Sequence, residues 1–457
     1  MFGLARDLRR LFVGEPVRGQ SLTGGDSALL ELLDLGLLLQ EGRTADVTAS
    51  RIPARDRPRR RLEAALIWRE AARRSGDVAH LRKAAATAEA ASALLDRGRR
   101  PDAWAQARCE QAYCALAGAE LFGDLGLNVA AELAFTEARA SARSGFSAAV
   151  AEVGLAIVAA RGNLTRVDAV EAASLAARFD GPIATLEALA KRVPAARGKA
   201  AEARLSRADI LCGLGARLKD AELLRRAVQD AAYAACRLNA DYEPLTWARA
   251  EIVHAQALTL WGELSVDVDA VTGAAQILTD VLEHLTRDHS PLDWARAQLG
   301  LAETLQVLGE ATGETKAFEQ AVTCYDRANL VLKDIPAMPL RGLAASARAA
   351  CLARSAELTG DLAILDVAEA AMKMELCALQ ARRDPVGWAV AQLHLARLYE
   401  ARLDLTGRDR GQRVAAITAL EAALDVFTEE GVRTLSVMAS DALERLRVQA
   451  PETRGHV

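Results

Sequence analysis

Small, apolar and polar positions follow a helical period along most of the chain, and the pattern restarts behind a recurring Pro-x-x-Trp-Ala. The element occurs at Pro101 to Ala105, Pro244 to Ala248, Pro291 to Ala295 and Pro385 to Ala389. Successive tryptophans are 143, 47 and 94 residues apart, close to multiples of one unit of about 47 residues. The residues one, three and eight after each Trp are alanine: Ala105, Ala107 and Ala112, then Ala248, Ala250 and Ala255, Ala295, Ala297 and Ala302, and Ala389, Ala391 and Ala396. Offsets one and eight lie two helical turns apart on one stripe, where the absence of bulk lets a second helix come close. The leading Pro suits a first helical position, where the N–H it lacks would go unpaired anyway.

A second mark falls nineteen residues after the Trp register. It is a Gly followed by a polar residue, at Gly123-Asp124, Gly313-Glu314 and Gly407-Arg408. The same turn without a Trp, at Gly76-Asp77, Gly162-Asn163 and Gly360-Asp361, exposes more degenerate units. Gly supplies the positive φ that ends a helix, and the polar residues cap the next one. Each unit therefore reads as helix, turn, helix, with helices near 292–310 and 316–333. The expected fold is all-α, an α-solenoid of about eight antiparallel hairpins with capping helices at both ends.

The second helix of the unit carries Ala-x3-aromatic-x2-Ala, as Ala131, Phe135, Ala138 and as Ala321, Tyr325, Ala328, with a looser form at Ala416, Leu420, Ala423. The first helix carries Leu395, Ala396, Tyr399 or Leu301, Ala302, Leu305. On these residues the chain resembles the tetratricopeptide repeat family, with Ala in place of the small Gly. The resemblance spans roughly residues 58 to 430 and implies a protein-binding scaffold. Its usual period of about 34 residues is shorter, so the helices here must be longer. HEAT and armadillo repeats have nearly this period but do not predict the Ala-x3-Phe/Tyr-x2-Ala element.

The array is expected over 58–430, behind an amphipathic arm and linker at 1–20 and a capping helix and basic linker at 21–57, and ahead of a capping helix and tail at 431–457. In the arm, Phe2, Leu4, Leu8, Leu11 and Phe12 are apolar and Arg6, Arg9 and Arg10 point elsewhere. Such a segment docks on the array, fills a partner groove or lies on a membrane surface. Ser27 to Gln40 is rich enough in Leu to be a buried cap. Arg51, Arg55, Arg57, Arg59, Arg60 and Arg61 form a dense basic run broken by Pro53 and Pro58, read as a solvated linker and helix start. Leu435, Val437, Met438, Leu443 and Leu446 suggest a closing helix.

Composition changes this picture little. The formal charge is -4, which gives no bulk field to draw nucleic acid. Seven scattered cysteines read as small core residues, not as a disulfide or metal framework. Residues 29–39 are too short and too charged to span a bilayer, so a cytoplasmic location is expected, with a peripheral membrane site as the alternative.

The chemistry of catalysis is missing from the pattern. No phosphate loop, His-Glu-x-x-His, Cys-x-x-Cys or nucleophile elbow occurs. His284 and His289, with Glu283 and Asp288, have the wrong spacing for one helical face and read as a solvated helix end. His254 and His394 read as core or groove residues. No cofactor, metal or catalytic residue is expected, and the partner is a protein or peptide. Residues two, nine and twelve after each Trp fall off the Ala stripe and are expected to line its groove: Arg249, Gln256, Arg296, Glu303, Gln306, Arg397 and Glu400. The alternatives are an adaptor held at a membrane by residues 1–12, and an enzyme or ligand-sensing regulator whose site is assembled across repeats.

Overall fold

The computed structural model describes residues 28–124, 126–162, 167–335, 339–378, 381, 385–430 and 433–448. Among them every regular element is a helix. Two helices lead, α1 (Ala28–Glu31) and α2 (Leu35–Arg51). The first hairpins pair α3 (Arg57–Ser75) with α4 (Val78–Ala93) and α5 (Pro101–Phe122) with α6 (Gly126–Ser141). In the third, α7 (Gly145–Arg161) faces a broken second arm, α8 (Ala169–Ala177) and α9 (Asp180–Leu189). There follow α10 (Pro194–Leu218) with α11 (Ala221–Ala235), and α12 (Pro244–Ser265) with α13 (Val268–His284). The last three are α14 (Pro291–Thr312) with α15 (Thr315–Leu332), α16 (Pro339–Thr359) with α17 (Leu362–Ala378), and α18 (Pro385–Thr406) with α19 (Gln412–Glu429), closed by α20 (Arg433–Val448). This is an all-α helical repeat solenoid.

Two compact units divide the chain, residues 1–297 and 298–457, with the boundary inside α14. The core of each follows from the stripes. The Trp-register alanines at offsets one, three and eight are 0% or 1% exposed in all four copies. So are Ala131, Phe135 and Ala138, and Ala321, Tyr325 and Ala328. Burying each such ring contributes about 1.5–3 kcal/mol. Packing around Phe135 is tight: a Cβ at Gly154 on α7 would lie 2.3 Å from its ring, so glycine there makes room for the aromatic. Trp247 and Trp294 are only partly buried and pack against Leu245, Ala248, Val281 and Leu285.

Helix ends follow the caps. Gly76, Gly123, Gly313, Gly360 and Gly407 take positive φ between 61° and 74°. Gly162 differs, at φ -67°, because helical hydrogen bonding continues through it to Val158 O. Two ends use residues that glycine logic does not anticipate, Lys219 at φ 52° and Val266 at φ 57°. Val266 occupies the position nineteen after Trp247, where the other units place Gly.

Several expectations need correction. Ser27 to Gln40 is not one helix, because the chain breaks after Glu31 and Asp34 accepts a hydrogen bond from Leu37 N to start α2. Cys236 and Cys377 are exposed, whereas the other five cysteines are buried. In α20, Leu443 and Leu446 are buried but Val437 and Met438 are exposed. Residues 1–27 and 449–457, which include Phe2, Leu4, Leu8, Leu11 and Phe12, lie outside the described residues.

Candidate functional site

The residues expected to line a groove meet two different environments. In the first unit, helices distant in sequence meet face to face through charge. Arg249 on α12 donates to both oxygens of Asp293 on α14, at 2.7 to 3.0 Å, and to Glu70 on α3 at 3.0 Å. Asp293 is fully buried. Burial would raise its pKa, but Arg249 outweighs burial and holds it below the ordinary value. The same contest holds the Glu70 carboxyl well down, with Arg249, Arg74 and Arg73 overcoming desolvation. Arg296 on α14 reaches Glu120 on α5 at 2.9 Å, and Arg161 on α7 pairs with the same carboxylate. Crowding by protein, which would raise its pKa, again loses to these two cations and leaves Glu120, whose side chain is 44% exposed, at about 2. The buried charges of Asp293 and Glu70 persist only because they are paired.

A buried clasp reinforces the contact. Glu31, at the end of α1, accepts hydrogen bonds from Leu245 N at 2.9 Å and Thr246 N at 2.8 Å. It therefore caps the first turn of α12 from more than two hundred residues away, where the helix dipole favours a carboxylate. Desolvation nevertheless dominates and pushes its pKa up to about 7, against the opposing Thr246 bonds and Arg249. Fully buried Arg74 donates to Leu33 O and Leu30 O. His289, expected at a solvated helix end, instead bonds through Nε2 to Glu31 O at 2.6 Å. Units that touch only their neighbours in sequence would not make these bonds. Of the groove set in this unit, Arg249 and Arg296 are engaged by the chain itself, whereas Gln256 is exposed.

In the second unit the groove residues Arg397 and Glu400, nine and twelve after Trp388 where Arg249 and Arg296 are two after their own Trp, stay open. A cleft of ≈ 660 Å³ is bounded by Glu357 of α16, His394, Arg397, Glu400 and Asp404 of α18, and Arg445 of α20, with Leu393, Leu403 and Met438 supplying apolar wall. Arg397 is exposed and has no ion-pair partner among the described residues. Glu400 meets only a long contact to Arg445, 3.8 Å, and burial raises its pKa. His394 is neutral at physiological pH, its pKa pushed down to about 4 by burial and then by Arg397. Farther along the unit, Glu303 reaches water yet is hemmed in by protein, and that burial pushes its carboxyl up to about 7. Gln306 accepts a long bond, 3.5 Å, from Tyr325 Oη. Arg397 and Glu400 are expected along the groove and His394 as a core or groove residue; Met438 and Arg445, which α20 brings to the same cleft, lie outside that repeat pattern.

Among the described residues no group of three or more His, Cys, Asp or Glu side chains is placed to hold a metal ion, and no helix is long and apolar enough to cross a membrane.

Stacked helix pairs, with the Ala-x3-aromatic-x2-Ala element buried in the second helix, give the protein a tetratricopeptide-like architecture. No protein-family model matches the chain, and no curated protein matches it. Among solved structures it is similar to a Rap protein complexed with competence and sporulation factor, at 11% identity and TM-score 0.46, over 84% of this chain and 97% of that one. It is also similar to the P58(IPK) TPR domain, at 15% identity and TM-score 0.22, covering 91% and 99%. A third is yeast Tom70, at 13% identity and TM-score 0.23, covering 91% and 97%. The likeness is one of fold.

Proposed function

We propose that the protein is a non-catalytic adaptor that binds a protein or peptide partner in the cleft of its second unit. The observation that carries this reading is the set of polar groups at Arg397, Glu400 and His394, open to the cleft and weakly engaged or unpaired within the chain. Unpaired charges beside an apolar wall suit a polar peptide segment, which supplies the missing counter-charges and buries its own side chains. Arg249 and Arg296 act in this reading as internal ties and Gln256 belongs to the first unit, so within the second unit the expected groove narrows to Glu303, Gln306, Arg397 and Glu400. No cofactor and no nucleic acid enter it.

The test is affinity capture with full-length protein, followed by titration of the recovered partner into purified variants. Arg397→Glu should weaken that binding by at least tenfold, while Arg82→Glu, on an exposed face of α4, should leave it unchanged. Equal binding by both variants would remove the cleft from the site.

A further inference from the structure

The loops that join one hairpin to the next in the first unit carry cations that the fold does not use. Arg51, Arg55, Arg100, Arg143, Lys191 and Arg192 are exposed. None has a side-chain hydrogen bond or ion pair with a described residue. The nearby carboxylates are engaged in the backbone instead. Asp96 accepts from Gly98 N and Arg99 N, and Asp102 accepts from Arg143 N at 2.9 Å and Ser144 N at 2.8 Å. Glu243 is buried against Arg197. Asp56 remains exposed and unpaired beside Arg55.

These loops adjoin one another in space. Arg57 donates to Ile52 O, and Leu95 packs on Leu62 and Ala107. The Arg97 guanidinium covers the Trp104 ring at 4.8 Å, two residues from the Asp102 that holds the 143–144 loop. A Cβ on Gly145 would lie 3.8 Å from Leu189, and Arg197 donates to Arg237 O. The unpaired cations thus form one continuous edge, on a chain whose net charge is -4.

We infer that this edge docks on an anionic lipid surface. Each exposed cation near such a surface strengthens binding about fivefold, since it contributes about 1 kcal/mol. A polybasic patch alone gives weak attachment, and a second, apolar signal makes it stable. The sequence of residues 1–12, outside the described residues, contains Phe2, Leu4, Leu8, Leu11 and Phe12 together with three arginines. Single-stranded nucleic acid is the poorer fit, because bases need open aromatic faces. At this edge Trp104 already lies beneath Arg97 and Arg108, which leaves Tyr242, 47% exposed on the 236–243 loop, as an isolated open face.

Sedimentation of the full chain with phosphatidylcholine vesicles, with and without phosphatidylserine, tests the inference. Binding should require phosphatidylserine and fall steeply with added salt. Reversing Arg55→Glu, Arg100→Glu, Arg143→Glu and Arg192→Glu together should weaken it more than about a hundredfold, with the helical circular dichroism unchanged. The milder pair Lys191→Ser and Arg192→Ser should weaken it roughly twentyfold, and Arg82→Glu should have no such effect. Equal sedimentation with both vesicle types, failure to bind either, or a charge-reversed variant that binds like wild type would overturn it. So would retardation of RNA or duplex DNA without vesicle binding.

Discussion

The two units treat the charges expected along the groove in opposite ways. In residues 1–297 the charges that leave the Ala stripe are pulled together across the unit: Arg249 with Asp293 and Glu70, Arg296 with Glu120. In residues 298–457 Arg397 and Glu400, nine and twelve residues after Trp388, face a cleft and find little of their own unit to meet. The difference lies in the partners within reach. Glu70 and Asp293 meet Arg249 on α12, Glu120 meets Arg296 on α14, and among the described residues no carboxylate pairs with Arg397. Charges that leave the Ala stripe therefore make structural ties in one unit and are left unpaired at Arg397 in the other.

The largest effect should come from breaking the tie. Arg249→Ala removes the main counter-charge of fully buried Asp293 and one of the cations on Glu70, which keeps Arg74, and removing one partner of such a buried pair costs about 3–5 kcal/mol. Arg397→Ala removes an exposed side chain with no ion-pair partner and should change stability by less than about 0.5 kcal/mol. Urea unfolding followed by circular dichroism would compare them. Equal destabilisation by the two substitutions would erase the distinction between the units.

The clasp gives the next effect, and its sign is defined. The folded pKa of Glu31, about 7, lies above its ordinary value of 4.5. Between those values the folded protein holds a proton that the unfolded chain has released. The stability it contributes is complete below about pH 4.5 and is lost as pH rises through about 7, by at most about 3 kcal/mol. Glu31→Gln keeps a neutral acceptor for Leu245 N and Thr246 N. The stability difference between wild type and Glu31→Gln should therefore widen as pH climbs from 5 to 8, in favour of the variant. A difference independent of pH would place the titration elsewhere.

A smaller gain should come from Val266. Its branched side chain is 84% exposed, so it buries almost nothing in return for a left-handed backbone. Val266→Gly should stabilise the first unit by about 1 kcal/mol, read as a higher urea midpoint. The same change at Gln256, in the middle of α12, should destabilise by a similar amount.

How much of this was legible follows from the range of each interaction. Ala107, Phe135 and Tyr325 announce their burial because helix packing repeats on the 3.6-residue period, and a period can be read along one line of sequence. Gly76, Gly123, Gly313, Gly360 and Gly407 are equally local. The fate of Arg249 is not local, since its carboxylates lie 44 and 179 residues away in sequence. Glu31 capping α12 is more remote still, and nothing near Thr246 signals it. His394 was visible as a residue beside the Ala stripe, but its role in the cleft depends on α20 folding back, through Met438 and Arg445, onto α18. Val266 was hidden because the pattern searched for Gly and the backbone tolerated a substitute.

The central claim is that partner binding belongs to the second unit, through Arg397 and its cleft, and not to the exposed counterpart of Arg397 in the first unit, Gln256. Photo-crosslinking from Gln256 and from Arg397 tests it most directly, since each is exposed, lacks an ion pair and can be replaced by a photoreactive residue without disturbing the ties. The account predicts crosslinks to the partner from position 397 and none from 256; crosslinks from 256 with none from 397 would contradict it.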